Sequence, residues 1–203
     1  MSAARGAGGG KPETGATGET QGREIYRGRV VHLFVDRVTL PNGTTTEIEV
    51  IRHPGAAAVV PLDWNGEVLL IKQYRHAAAG FIYEVPAGKL DAGEPPESCA
   101  ARELIEEAGV EAGTIDRLGG ILTTPGFTDE VIHLYLARDL APASQRLDAD
   151  EVLEVERVPL ARALAMCVSG EMRDAKSICA LFLADRFLHE EARRAERHAD
   201  EQD

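Results

Sequence analysis

The chain has 203 residues, 44% of them hydrophobic, and a net charge of −12 at pH 7. That is enough for one well-buried domain with short extensions. The acidic balance, with no Lys/Arg cluster, argues against nucleic acid as a partner. No apolar run approaches the roughly 20 residues of a membrane span, so no membrane partner is expected. Three cysteines (Cys99, Cys167 and Cys179) without C-x-x-C spacing, and no secretory h-region, lead us to expect a cytoplasmic protein with reduced thiols. An acidic protein that handles phosphates must neutralise them by other means, and a divalent metal is the obvious one.

Residues 1–22 are mostly Gly, Thr, Glu and Ala and are read as a disordered tail. Residues 23–54 are read as N-terminal strands, a β-hairpin of Arg29–Val38 and Thr45–Arg52 around the Pro41-Asn42-Gly43 turn. A second hairpin is expected from Ala57–Leu62 and Val68–Tyr74, because Asn65-Gly66 supplies the positive φ angles of its turn. Phe81–Val85 is a short strand running into Pro86-Ala87-Gly88. A helix follows from about Pro95 to Ala108, with prolines in its first turn and Gly109 as its stop. Further strands are expected at Ile115–Leu122, Val131–Ala137 and Asp150–Val158, then helices at Leu160–Ser169 and Ala175–Glu191. Residues 191–203 form a charged C-terminal tail that continues or frays the last helix. The pattern is α/β, a mixed sheet between helices, with the main domain at residues 55–190.

The helix at 95–109 holds the decisive feature. At 100° per residue, with Glu103 at zero, Glu107 falls at about +40° and Glu106 at about −60°. Ala101, Leu104, Ile105 and Ala108 fall on an arc of about 100–200°, the expected core face. Like charges at i,i+4 destabilise a helix by a few tenths of a kcal/mol, and acids toward its C-terminal half oppose the macrodipole. Three carboxylates crowded despite that cost suit a hard cation such as Mg²⁺ or Mn²⁺. A solvated acidic face is the plainer alternative, and the flanking residues decide against it.

Gly88, five residues, Glu94, seven residues, Arg102-Glu103-Leu104, one residue, Glu106-Glu107, one residue and Gly109-Val110 fill every defining position of a known pattern. On these residues the chain resembles the Nudix hydrolases. The resemblance implies an α/β/α sandwich and metal-dependent cleavage of a nucleoside diphosphate linked to another moiety. It implies that Glu103, Glu106 and Glu107, with the carbonyl of Ala87, hold the metal. Glu94 and Arg102 should form a pair bracing the loop against the helix.

Pro125 lies 16 residues beyond Gly109, in Thr124-Pro125-Gly126-Phe127-Thr128-Asp129-Glu130. This run, with Gln73-Tyr74-Arg75, resembles the ADP-ribose pyrophosphatase subfamily. The subfamily reading makes ADP-ribose the substrate, with AMP and ribose 5-phosphate as products and Mg²⁺ (Mn²⁺ as an alternative) as cofactor. It puts Arg75 on the substrate phosphates, where a guanidinium fork binds well; the alternative is a surface charge at a strand end. Glu84 is expected either to contact substrate or to order the metal loop, or else to face solvent. The base is expected in the downstream loop, Glu151 first and Asp150 second. The resemblance also implies a homodimer in which N-terminal strands complete the site, with Tyr26 and Arg52 reaching the substrate. Alternatives are another nucleoside diphosphate sugar and a non-catalytic Nudix regulator that only binds its ligand.

Overall fold

A computed structural model describes residues 21–147 and 151–200. The chain divides at Arg52/His53 into two units. In the N-terminal unit β1 (Gln21–Arg27), β2 (His32–Thr39) and β3 (Thr45–Arg52) form an antiparallel sheet. The sequence predicts a two-stranded hairpin here. The third strand, β1, was hidden because QGREIYR carries no apolar alternation, and its Ile25 and Tyr26 are exposed. β1 begins two residues inside the stretch read as a tail; residues 1–20 lie outside the described residues. β2 also begins at His32 rather than Arg29.

The second unit starts with β4 (Ala56–Pro61), β5 (Glu67–Arg75), a 3₁₀ turn at His76–Ala78, β6 (Gly80–Glu84) and β7 (Ala87–Lys89). It continues with α1 (Pro96–Ala108), β8 (Val110–Leu122), β9 (Val131–Pro142), β10 (Leu153–Pro159), α2 (Leu160–Ser169) and α3 (Ala175–Asp200). One sheet has the order β7-β4-β9-β8 and is mixed, since β4 runs parallel to β9 while the other pairs are antiparallel. The other, β10-β5-β6, is antiparallel.

β4 shows why helices cover both faces of the mixed sheet. All six of its residues are buried, as expected for a strand with no solvent face. Ala57 and Val59 pack with Cys99, Ala100, Leu104 and Ala108 of α1. Ala56, Ala58 and Val60 pack on the opposite side with Met166 of α2 and Ala180, Leu181 and Ala184 of α3. The result is the expected α/β/α sandwich.

Three differences in length have local causes. β8 starts at once after α1, because Gly109 takes φ 65° and its N–H closes the helix on the Ile105 carbonyl. β9 runs on to Pro142, paired with β8 along its length apart from a bulge at Arg117/Gly119. α3 continues to Asp200 through most of the stretch read as a charged tail. Its last turns are exposed and carry i,i+4 ion pairs such as Arg194–Glu190.

Candidate active site

Two of the helical carboxylates, expected on a cation-binding arc away from the core face, are in fact buried. Glu103 and Glu107 are 8% and 2% exposed, and they share α1's inner face with Cys99, Ala100, Leu104 and Ala108. The core face is thus rotated from the expected Ala101–Ile105 arc, and both of those residues lie at its edge. The cause is tertiary. The short β7 strand and the Val85-Pro86-Ala87 strap lie against α1 and cover carboxylates that hydropathy alone would leave in water.

The strap and the helix meet through two close contacts. Glu107 Oε2 accepts the Ala87 N–H at 2.8 Å. Glu103 lies so tightly over Gly88 that a Cβ built there would stand 1.7 Å from its Oε1. Gly88 is therefore required by space, since its φ is not in the left-handed range.

Arg102 organises the rim. Its Nε and Nη2 donate to the two oxygens of Glu94, each at 3.0 Å, in a fork-to-fork pair. Nη2 also reaches the Lys89 carbonyl at 3.1 Å, which ties the loop after β7 to α1. Nη1 donates to Glu103 Oε1 at 2.6 Å and Glu106 Oε2 at 3.0 Å. The Arg102 fork and the Asp91 N–H hold the Glu94 carboxyl down at about 2. Arg102 itself is raised, chiefly by its bond to Glu94.

Electrostatics separates the three helical carboxylates. Burial pushes Glu107 up to about 8; the Ala87 N–H opposes this, while the charges of Glu103 and Glu151 add to it. Glu103 is also raised by burial, against the pull of Arg102. Two carboxylates held where negative charge is disfavoured fit a hard divalent cation, which would offset that cost. The donor types fit as well, since three carboxylates and the Ala87 backbone carbonyl are all oxygen ligands. Among the described residues no three acidic, His or Cys side chains already converge as a finished coordination shell. Arg102 engages Glu103 and Glu106 instead.

A second cluster stands at the end of β6. Glu84 is 2% exposed, so neither of its carboxylate oxygens faces solvent. Arg75 Nε and Nη2 donate to its two oxygens at 2.7 and 2.9 Å, and Lys176 Nζ reaches Oε2 at 2.5 Å. Burial alone would raise the Glu84 carboxyl. The two cations outweigh it and hold it below its ordinary value. Arg75 remains partly exposed and also feels the charge of Glu107, so the two clusters lie within electrostatic reach of one another. Lys176 was not singled out in the sequence. A lysine in the first turn of a helix opposes the macrodipole, and that local conflict is the signal that could have found it.

Glu151 is half-buried and close enough to raise both Glu103 and Glu107, whereas Asp150 lies outside the described residues. Pro125 is exposed at the second position of a turn closed by Phe127 N–H to the Thr124 carbonyl. Its loop is pinned by Thr123 Oγ1 to Glu130 at 2.8 Å and by the His53 N–H to Asp129 at 2.8 Å. Tyr26 and Arg52 belong to the N-terminal unit. Tyr26 is exposed over Gly28, and Arg52 pairs with buried Asp36. All three cysteines are free. Burial raises the Cys99 thiol to about 12, and it packs from α1 into the core with Ala57 and Val59 of β4.

Comparison with known proteins points the same way. The chain is 41% identical over 160 residues to an ADP-ribose pyrophosphatase of Bacillus subtilis (strain 168), covering 78% of this chain and 86% of that protein. It is also 41% identical over 160 residues to a methanol dehydrogenase activator of Bacillus methanolicus, with the same coverage. A solved structure described as an ADP compounds hydrolase superposes with a TM-score of 0.75 at 25% identity, covering 86% of this chain and 96% of that one. Among the described residues no helix is long and apolar enough to cross a membrane. Residues 52–181 match the NUDIX domain and contain every carboxylate of both clusters, so the chain belongs to the Nudix family, whose hydrolases generally require a divalent metal.

Proposed function

We propose that the chain hydrolyses the diphosphate of ADP-ribose to AMP and ribose 5-phosphate, with Mg²⁺ (Mn²⁺ as an alternative) as cofactor. The observation that carries this reading is two neighbouring clusters of opposite character. One holds buried Glu103 and Glu107, with Glu106 and the Ala87 strap; the other presents the partly exposed guanidinium of Arg75, which feels the charge of Glu107. A diphosphate needs both, cations to neutralise it and a fork to orient it. When bound, the divalent ion supplies charge for the phosphoryl oxygens and acidifies a water. The chain's own groups do the rest. Glu103, Glu106, Glu107 and the Ala87 carbonyl hold the ion, Glu94 and Arg102 brace them, and Arg75 orients the phosphates. Glu84 holds Arg75 in place. Glu151, with Asp150 as second choice, takes the proton of the attacking water as the bridging phosphorus–oxygen bond breaks.

Substrate choice rests on more than the carboxylates. Pro125 in its turn and the 41% identity to an ADP-ribose pyrophosphatase favour ADP-ribose over other nucleoside diphosphate sugars. We assign Tyr26 and Arg52 to the substrate as well, through a homodimer built on the N-terminal sheet. Support for the dimer comes from Ile25, Tyr26, Val30 and Val31, which are 39–58% exposed in that unit and suit an interface. The composition favours a cytoplasmic location. The name of the Bacillus methanolicus relative raises a regulatory reading, but every carboxylate of the signature is present here.

The test is product analysis. Purified protein with Mg²⁺ is incubated with ADP-ribose and a panel of sugar nucleotides, and products are identified by mass. AMP and ribose 5-phosphate are expected. ADP-ribose left intact while another sugar nucleotide is cleaved would overturn the substrate assignment. Glu107→Gln is expected to lower kcat by more than about 100-fold, the upper end of the loss seen on removing mere supporting partners of a metal site. Full activity in that variant would sink the metal assignment.

A further inference from the structure

The first turn of α3 does something that cation binding and phosphate orientation leave unexplained. Asp174 caps that helix, its Oδ2 accepting the Ser177 N–H at 3.0 Å and the Ser177 hydroxyl at 2.5 Å. Ser177, fully buried, in turn accepts the Val85 N–H on Oγ at 2.8 Å. Lys176 lies between them, with Nζ 2.9 Å from Asp174 and 2.5 Å from Glu84. The residues Glu84 to Ala87 are thus held at one end by α3, through Lys176 and Ser177, and at the other by Glu107 of α1. Lys176 is mostly buried, so its charge is spent inside the protein.

Arg75, Glu84, Lys176 and Asp174 carry two positive and two negative charges, so what Lys176 adds is geometry rather than net charge. Arg75 alone would leave the Glu84 carboxylate fixed only by the guanidinium that it has to orient. Lys176, itself anchored by Asp174, pins Glu84 Oε2 from the other side and leaves the partly exposed Arg75 gripping a fixed carboxylate. We infer that Lys176 is a positioning residue: by fixing the Glu84 carboxylate it keeps Arg75 aimed at the substrate's diphosphate, without touching the substrate itself. This rests on the diphosphate-hydrolase reading above and deepens it.

The experiment measures KM and kcat for wild type, Lys176→Met, Lys176→Arg, Glu84→Gln and the double variant Glu84→Gln/Lys176→Met, on whichever nucleoside diphosphate sugar the wild type cleaves. Lys176→Met is expected to raise KM about tenfold with kcat within about twofold, the signature of lost uniform binding. Lys176→Arg keeps the charge and should return KM to within about threefold of wild type. The decisive comparison is in the Glu84→Gln background, where there is no carboxylate left to share. There Lys176→Met should change KM by less than about twofold, because interacting residues are not additive. A further tenfold rise in that background would mean that Lys176 contacts the substrate directly, and would overturn the inference. So would an unchanged KM in Lys176→Met alone. Should Lys176→Met fail to fold because it strands a buried charge, the Glu84→Gln pair still decides, since neither member leaves Glu84 ionised and unpaired. If the wild type cleaves a sugar nucleotide other than ADP-ribose, only the substrate assignment falls and the Lys176 test proceeds on that substrate. A wild type that cleaves no diphosphate sinks both.

Discussion

At the scale of single residues the site is governed by two tight fits, Gly88 beneath Glu103 and the Ala87 N–H on Glu107. A methyl group at residue 88 would stand 1.7 Å from a carboxylate oxygen, so either the strap or Glu103 must move. Gly88→Ala is expected to fold, with a loss of stability of about 1–3 kcal/mol as for other overpacked sites. Its metal requirement should shift to higher concentration, read by titrating activity with Mg²⁺ beside a thermal melt. An unchanged metal titration would show that Glu103 does not depend on this contact. Glu107 carries a pH signature of its own. Its carboxyl lies at about 8 in the metal-free fold, against 4.5 for an unperturbed glutamate. The folded state therefore holds this proton more tightly than the unfolded chain. The stability it contributes is fully present below about pH 4.5 and is lost as pH rises through 8. In chelator, the melting temperature is expected to fall between pH 5 and pH 8.5 by more in wild type than in Glu107→Gln. Parallel pH profiles for the two proteins would show that Glu107 is not the group responsible.

At the scale of elements, α1 has two duties on one face. Leu104 and Ala108 anchor it on β4, while Glu103 and Glu107, on the same side, meet the strap. The amphipathic rule that apolar residues face in and charges face out fails here, and it fails where the site is built. Leu104 is fully buried against Ala57, Val59 and Tyr135. Leu104→Ala should cost about 2–5 kcal/mol in urea unfolding. It should also lower activity in the remaining folded fraction, because the cavity lets the carboxylate-bearing face tilt. Loss of stability with undiminished specific activity would separate the two duties. Element boundaries in the sequence were legible where a chemical stop existed, as at Gly109 ending α1 and at the Asn65-Gly66 turn between β4 and β5. The hairpin expected of those two strands does not form, because β4 and β5 belong to different sheets and pair only at the Leu62–Val68 bridge. Boundaries were not legible where pairing alone makes the element. β1 is polar and owes its strand form to the ladder with β2, and the three-residue β7 exists through its pairing with β4.

For the molecule as a whole, the α/β/α sandwich arises because β4 is buried on both faces and needs a helical layer on each. That layering sets α1 on one side and α2 with α3 on the other. The Glu84–Ala87 strap then receives bonds from both α1 and α3. The sequence by itself determined the carboxylate set, the Glu94–Arg102 pairing pattern and the residue types that suit a hard cation. These are local, because helix period and fixed spacing place Glu103, Glu106 and Glu107 on one arc whatever surrounds them. Only the tertiary structure decided that two of the three are buried, which raises their affinity for a proton. It also decided that Glu84 is shared between Arg75 and Lys176, a residue 92 positions away in the chain. No periodicity carries a contact of that separation; it exists because the packed core brings the start of α3 to the end of β6.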